Sequence, residues 1–186
     1  TLPMCAPVSD GAAAAVICAE SVLKELSDAR PVKILSSHVT TGIERPPAEF
    51  NKHIGHLAAK AAYEAASVGP DEISCAEVHD ATAFAEIQQI ENLMFAPFGD
   101  GGAFIESGSS TLGGRLPINT SGGLQSKGHP IGATGLGQIH ELTVQLRGEA
   151  GKRQVDGAKY GIAENGGGLY GIEEAAVAVT ILGADK

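Results

Sequence analysis

The stretch that decides the fold is KGHPIGATG, residues 127–135. Gly128 and Pro130 flank His129 and restrict the backbone around it, which predicts a rigid turn. Gly132 then allows the next helix to begin close to neighbouring backbone. A helix N-terminus offers free N–H groups and a positive dipole end. A histidine at such a point can donate a hydrogen bond or activate a thiol, so we interpret His129 as a functional residue.

Two other short segments also lie at predicted strand ends or strand-to-helix turns. EVHDA occupies residues 77–81 and ENGGG occupies residues 164–168. A strand predicted over 73–78 delivers His79 and Asp80 at its end. Because ligands bind at the carboxyl ends of strands in open α/β sheets, we expect the three segments to contribute to one site.

Strands and helices alternate along the chain, which predicts a layered α/β architecture. Strands are expected at 32–40, 73–78, 117–120, 159–163 and 175–182. Helices are expected at 51–68, after Asp80 to about 93, and at 132–147. The apolar run at 12–18 fits either a buried strand or the start of a helix continuing to 27. Glycine-rich turns are expected at 122–128 and 166–168, and a functional loop at 98–116.

Composition narrows the classes of function. The chain has 186 residues, of which 43% are hydrophobic, and a formal net charge of −9. This charge argues against nucleic acid and anionic membranes as partners. Three cysteines without CxxC spacing argue against a disulfide framework and a zinc site, and favour a reducing, cytoplasmic setting. No run of roughly 18 apolar residues predicts a membrane span, and no signal peptide is recognisable.

The three motifs together resemble one family. Residues 128–135 resemble very closely the histidine motif of thiolases, and residues 119–124 (NTSGGL) resemble the approach to that motif in lipid-transfer, or sterol-carrier-type, thiolases. Residues 9–14 (SDGAAA) resemble a segment found about midway through thiolases. The resemblance covers nearly the whole chain in the right order. It identifies the chain as similar to the C-terminal half of a thiolase-superfamily protein.

The resemblance implies a fold. Thiolases stack two similar halves into a five-layer αβαβα sandwich, of which this chain would hold the second half and the last strands of the first. A loop at 41–47 is the expected junction, dividing the chain into 1–47 and 48–186. An exposed β-layer should then require the missing half as a partner. The family's nucleophilic cysteine lies in that missing part, so all three cysteines (Cys5, Cys18, Cys75) are interpreted as small core hydrophobes.

The resemblance also implies site residues. His79 stands where most thiolases carry an asparagine, and lipid-transfer-type relatives carry a His-Asp pair there. This position and His129 would form an oxyanion hole for the thioester carbonyl. Glu164 occupies the place of a second cysteine that moves the α-proton in thiolases, and a carboxyl of raised pKa can do the same. The amide of Gly166 would form a second oxyanion hole.

Four more residues are expected to contact substrate: Gly167, Gly168, Asp80 and Tyr170. For Asp80 the alternatives are to orient a neighbour or simply to end its strand. Tyr170 is either a packing aromatic or the acid/base of an aldolase-type relative. His53 and His56 are interpreted as surface or helix-face histidines without a metal. The glycines of the 98–116 loop would let it move over the acyl chain.

Three functions follow as expectations from the resemblance. The first is thiolytic cleavage of a 3-oxoacyl-CoA or the reverse Claisen condensation, with coenzyme A as substrate and no permanently bound cofactor. The second is a retro-aldol lyase acting on a 3-hydroxyacyl-CoA. The third is a non-catalytic subunit that binds acyl-CoA or lipid. The family also implies a homodimer and a small OB-fold partner that carries zinc.

Overall fold

The computed structural model describes residues 1–184, and its centre is a four-stranded sheet of order β1-β4-β3-β2. The strands are β1 (Val32–Thr41), β2 (Cys75–Glu77), β3 (Tyr160–Gly167) and β4 (Ala176–Ala184). β4 is antiparallel to both β1 and β3, whereas β2 is parallel to β3. The carboxyl ends of β2 and β3 therefore lie side by side, which brings two of the motifs to one edge.

Helices lie on both faces of this sheet. They are α1 (Ile54–Ala66), α2 (Ala83–Asn92), α3 (Gly101–Glu106), α4 (Gly123–Lys127) and α5 (Thr134–Leu146). α1 packs on β1 and β4, and α5 packs on β3. Side chains alternate along β3, so Ile162 joins the larger core under α1 while Ala163 joins the smaller core with Leu142 of α5. The layered α/β prediction is confirmed.

Each face of the sheet is covered by a helix only in part, and the edge strand β1 keeps apolar side chains exposed, with Ile34 51% and Val39 71% exposed, as expected for an exposed β-layer. Apolar side chains are also exposed in the segment before β1, where Val16 is 97% exposed. That segment forms neither the strand nor the helix predicted at 12–18; it holds a 3-10 turn at Glu20–Glu25. Cys5 and Cys18 lie on it and are exposed, so the core assignment holds only for the buried Cys75.

The predicted junction at 41–47 does not separate β1 from the later strands. β1 pairs with β4 along its length, from Val32 opposite Ala184 to Thr41 opposite Ala176. The strand therefore belongs to the same sheet as β3, which the sequence had assigned to a second unit. Strand pairing across such a distance along the chain leaves no local pattern in the sequence.

Several local elements differ from the sequence predictions, and in one of them a polar side chain caps the start of a helix. The helix expected from 51 begins at Ile54, because the His53 side chain accepts a hydrogen bond from the Gly55 N–H. The 98–116 segment is not structureless, since it contains α3, and the turn at 122–128 is the helix α4. The strand expected at 117–120 is a single bridge between Ile118 and Ala76.

The strand at 159–163 continues through Gly167, so two glycines of the predicted 166–168 turn lie in β3 instead. The strand expected at 32–40, the helix at 132–147 and the last strand at 175–182 are confirmed within two residues at each boundary. Among the helices of residues 1–184, none is long and apolar enough to cross a membrane.

Candidate active site

Two histidines meet at the edge of the sheet where β2 ends. His79 follows β2, and His129 lies on the turn before α5. Their ring centroids are 5.0 Å apart with an interplanar angle of 77°, an edge-on contact. Both side chains are partly buried. The structure thus brings together two of the site residues predicted from sequence. Their two imidazole rings lie side by side and are both partly accessible at this edge of the sheet.

The turn that carries His129 is held by the segment near the start of the chain. The His129 N–H donates to the Pro7 carbonyl at 2.8 Å, and the Ser9 N–H donates to the His129 carbonyl at 3.4 Å. Gly128 has φ of +96°, and a Cβ on it would lie 2.5 Å from the Ser9 hydroxyl oxygen. Only glycine fits this position without moving the segment around Ser9 that holds the His129 turn.

Thr134, which sequence reasoning missed, sets the hydrogen bonding of His129. Its hydroxyl oxygen lies 2.8 Å from His129 Nδ1 and 3.2 Å from the Pro130 carbonyl oxygen. The single hydroxyl proton can be donated to either. Donation to Nδ1 puts the ring proton on Nε2, which is the form an oxyanion hole requires. A threonine at the start of the helix after a Gly-His-Pro turn was the available signal.

His79 is a neutral imidazole over the physiological range. Burial lowers its pKa to about 4, and the neighbouring His129 contributes to the same direction. A neutral ring can still donate one N–H hydrogen bond. Its backbone N–H donates to Glu164 Oε2 at 3.0 Å, which ties the end of β2 to the end of β3. Glu164 is therefore next to the histidine pair, as predicted.

Glu164 is fully buried, and its Oε1 has no hydrogen-bond partner among the described residues. Burial raises its pKa to about 8, so the carboxyl is protonated at neutral pH. A Cβ on Gly166 would lie 2.9 Å from Glu174 Cγ and 3.4 Å from Glu164 Oε1. Because Gly166 has no side chain, the side chains of Glu164 and Glu174 can both lie close to its backbone. Whether Glu164 moves a substrate proton stays a prediction.

The end of β3 is fixed from the other face of the sheet by Gln138 of α5. Its side-chain amide donates to the Glu164 carbonyl at 2.8 Å and accepts from Asn165 Nδ2 at 3.2 Å. Gln138 is 1% exposed. Nothing in the sequence pattern distinguished this glutamine from other polar residues of the helix.

Asp80 orients a neighbouring element. It is buried, and its carboxylate accepts hydrogen bonds from the N–H groups of Leu124 at 2.6 Å and Gln125 at 3.4 Å. Both oxygens thus contact the first turn of α4, where free N–H groups favour a carboxylate. Of the two alternatives that the sequence left open, the structure favours orientation. The substrate contact predicted for Asp80 stays a prediction.

Gly123 is expected to be intolerant of a side chain. Its φ is +59°, and a Cβ on it would collide with the Asp80 carboxylate. We expect Gly123→Ala to lower the free energy of unfolding by about 1–3 kcal/mol, through backbone strain and displacement of Asp80. Gly137→Ala is the control: nothing lies within 4 Å of a Cβ there, and alanine stabilises a helix interior. Equal thermal midpoints for both variants would contradict the assigned role of Asp80.

The glycine triplet and Tyr170 are only partly at this site. Gly166 and Gly167 are paired with Val177 and Ala176 of β4. Gly168 leaves the strand with φ of +71°. Tyr170 is half exposed, and its side chain packs against Gly42. The contact of Tyr170 with Gly42 favours the packing alternative, whereas substrate contact by the glycines stays a prediction.

A buried polar network lies behind Glu164, and sequence reasoning missed it. His53 is not a surface histidine; its side chain is 3% exposed, with Nε2 3.3 Å from Glu174 Oε2 and 2.9 Å from Gln88 Nε2. Arg45 donates to Glu173 at 2.5 Å in an almost fully buried ion pair. The nearby His53 ring and the hydrogen bond from Gln89 Nε2 lower the pKa of Glu174 against the effect of burial. A negative charge is therefore maintained near Glu164.

The cysteines are poor candidates for the nucleophile of this site. Cys75 is buried, and burial raises the pKa of its thiol to about 12, so it stays protonated. Cys5 and Cys18 are exposed on the segment before β1. That a nucleophilic cysteine lies outside this chain stays a prediction.

Comparison with known proteins places the chain in a family. Residues 47–183 match the family described as thiolase C-terminal domain-like. The acetyl-CoA acetyltransferase of Methanothermobacter thermautotrophicus is 41% identical over 176 residues, which is 90% of this chain and 44% of the relative. Sterol carrier protein 2 of Rattus norvegicus is 43% identical over 175 residues, which is 89% of this chain and 31% of the relative.

The chain belongs to the thiolase C-terminal domain-like family. Its fold also superposes on the solved Ltp2-ChsH2(DUF35) aldolase with a TM-score of 0.70. That match has 24% sequence identity and covers 84% of this chain and 40% of the other, so it supports the fold alone. The chain spans less than half the length of the two relatives. The family resemblance seen in the sequence is confirmed.

Proposed function

We propose that this chain supplies the C-terminal half of the active site of a thiolase-like acyl-CoA C-acyltransferase. The observation that carries the proposal is the edge-on contact of His79 and His129 at 5.0 Å, with Glu164 bonded to the His79 backbone. Two imidazoles at one point can each donate an N–H hydrogen bond to a single oxygen. A buried carboxyl of raised pKa beside them can exchange a proton near pH 7.

In the proposed cleavage, a cysteine outside this chain attacks the 3-oxo carbon of a 3-oxoacyl-CoA. The bond between carbons 2 and 3 breaks, and its electron pair moves onto the thioester oxygen of the departing acetyl-CoA. His79 and His129 stabilise that oxyanion, which exists only after the bond begins to break. Glu164 donates the proton held on Oε1 to carbon 2. The thiol of free CoA then attacks the acyl-cysteine thioester, its proton returns to Glu164, and the cysteine leaves as the thiolate that began the cycle.

The proposal concerns an assembled protein, meaning this chain together with the polypeptide that completes the thiolase fold. We propose that the assembled protein binds acyl-CoA as a substrate, has no permanently bound cofactor and forms a dimer. A small OB-fold protein with zinc is proposed as a further partner. The relatives support only the need for a further polypeptide segment, because each is more than twice as long as its matched region.

A retro-aldol lyase is the second candidate. None of the three cysteines in this chain is placed as a nucleophile, and Glu164 replaces the cysteine that most thiolases use for proton transfer. Cleavage of a 3-hydroxyacyl-CoA needs a base for the hydroxyl proton and an oxyanion hole, but no covalent intermediate. The histidine pair and a carboxyl are sufficient for that chemistry.

Acyl transfer to a cysteine separates the candidates. We expect the assembled protein, incubated with acetoacetyl-CoA, to gain the mass of one acetyl group on a cysteine outside this chain, because the thioester intermediate is covalent. Intact-mass and peptide analysis measure this, and Cys5, Cys18 and Cys75 should remain unmodified. A thioether analogue of the substrate is the control. Absence of an adduct, together with release of an aldehyde or ketone from a 3-hydroxyacyl-CoA, would establish the lyase instead.

A further inference from the structure

The turns that carry the two histidines are joined by side chains outside the proposed reaction. Glu77 ends β2 two residues before His79, and Lys127 ends α4 two residues before His129. Ser121 lies between them. Its hydroxyl oxygen is 2.5 Å from Glu77 Oε2 and 2.7 Å from Lys127 Nζ. One serine thus connects the segments that lead to the two imidazoles.

The direction of these hydrogen bonds is fixed by the chemistry of the two ends. The ammonium group of Lys127 only donates. Burial raises the pKa of Glu77 to about 7, against the lowering effect of hydrogen bonds from Ser121 and of the Lys127 charge, and above that pH the ionised carboxylate only accepts. The Ser121 hydroxyl must therefore accept from Lys127 and donate to Glu77. The Ser121 backbone N–H also donates to Glu77 Oε1 at 3.0 Å. Both carboxylate oxygens consequently hold the start of the segment that runs from Ser121 to His129.

The Glu77 side chain is buried, whereas the Lys127 side chain is partly exposed to solvent. The Glu77 side chain is 1% exposed and that of Lys127 is 32% exposed. Their charged atoms are 4.0 Å apart, so Ser121 carries the closer contacts. The Thr120 hydroxyl oxygen lies 3.5 Å from Glu77 Oε1 and 3.0 Å from Glu141 Oε1 and can donate its single proton to either, which links the Glu77 carboxylate toward α5. A buried carboxylate with several donors defines a fixed geometry.

The opposite end of α4 is fixed to the same strand end. Asp80 follows His79 and accepts from the Leu124 N–H at 2.6 Å. The short helix is therefore attached to the β2 end at its first turn by Asp80 and at its last residue by Lys127. Because His129 follows α4 by two residues, both attachments control where its ring lies relative to His79.

We propose that Lys127, Ser121 and Glu77 form a positioning clamp that fixes the spacing of His79 and His129. This inference rests on the proposed function, since it assigns the histidine pair to the oxyanion hole. The clamp residues touch no reacting atom. They act through the histidines, so their loss should weaken stabilisation of the transition state more than binding of the substrate.

The test uses the assembled protein with acetoacetyl-CoA and CoA. We expect Lys127→Met to lower kcat about 10-fold and to change KM less than about 2-fold, because a displaced oxyanion donor affects mainly the transition state. Ser121→Ala should give a similar loss. Lys127→Arg retains a donor for Ser121 and should recover most of kcat. Lys152→Met, at an exposed position after α5, is the matched control and should leave both constants unchanged.

A double variant distinguishes positioning from a general structural role. In a His129→Ala background, Lys127→Met should lower the residual kcat less than about 2-fold, since the group it positions is gone. A full 10-fold loss in that background, or wild-type kcat in Lys127→Met alone, would overturn the clamp while leaving the proposed function intact. Wild-type kcat in His129→Ala alone would overturn the proposed function, and the clamp with it.

Discussion

Replacement of His129 by alanine is expected to lower kcat of the assembled protein by about 10²–10³-fold, the effect of removing one oxyanion-hole donor. The ring centroids of His129 and His79 are 5.0 Å apart, and His129 Nδ1 lies 2.8 Å from the Thr134 hydroxyl oxygen. The His129 ring is therefore held in place before substrate arrives. A preorganised donor stabilises charge that develops on the thioester oxygen only as the carbon–carbon bond breaks. KM should therefore change much less than kcat, which steady-state kinetics with acetoacetyl-CoA and CoA can measure.

The matched control for this variant is His140→Ala. His140 lies on the exposed side of α5, on the helix that follows the His129 turn. Its loss removes an imidazole from the helix next to the His129 turn without changing the candidate site. Similar kcat values for the two variants would show that the histidine turn has no part in the chemistry. A large rise in KM at unchanged kcat would instead assign His129 to substrate binding alone.

The histidine pair was predictable from the sequence because its determinants are local. Gly128 and Pro130 around His129, and a strand that ends at His79, each specify a turn within a few residues. The parallel pairing of β2 with β3 then places the end of β2 beside Glu164. Strand-end positions of this kind follow from topology, so a correct fold class was enough to assemble them.

The residues that position the pair could not be predicted in this way. Asp80 meets Leu124, and Glu77 meets Ser121, across more than forty positions of chain. His53 is buried against carboxylates of the segment before β4, although its spacing to His56 suggested a helix surface. Such pairs have no periodicity and no fixed separation, and single polar residues are usually exposed. Only the packing of distant segments determines which of them are buried.

Replacement of Glu164 by glutamine is expected to stabilise the assembled protein at high pH and to inactivate it. Burial raises the folded-state pKa of Glu164 from 4.5 to about 8. Between these values the folded protein keeps a proton that the unfolded chain has lost, so this carboxyl's contribution to stability falls as pH rises through about 8. Glutamine has no such proton. The variant should therefore gain a few kcal/mol of unfolding free energy relative to wild type between pH 5 and pH 9, at about 1.4 kcal/mol per pKa unit.

The same variant should lose kcat for cleavage by roughly 10²–10⁴-fold, the usual contribution of a proton-transfer group. In the wild type, kcat should fall as pH rises through about 8, because Glu164 donates its proton to carbon 2 in its acid form. Denaturation and kinetics over pH 5–9 measure both effects. A variant with the wild-type pH dependence of stability would show that Glu164 ionises in its ordinary range. If stability changed as expected but kcat did not, the carboxyl would hold His79 through its backbone N–H without transferring a proton, because glutamine retains an oxygen that accepts that bond.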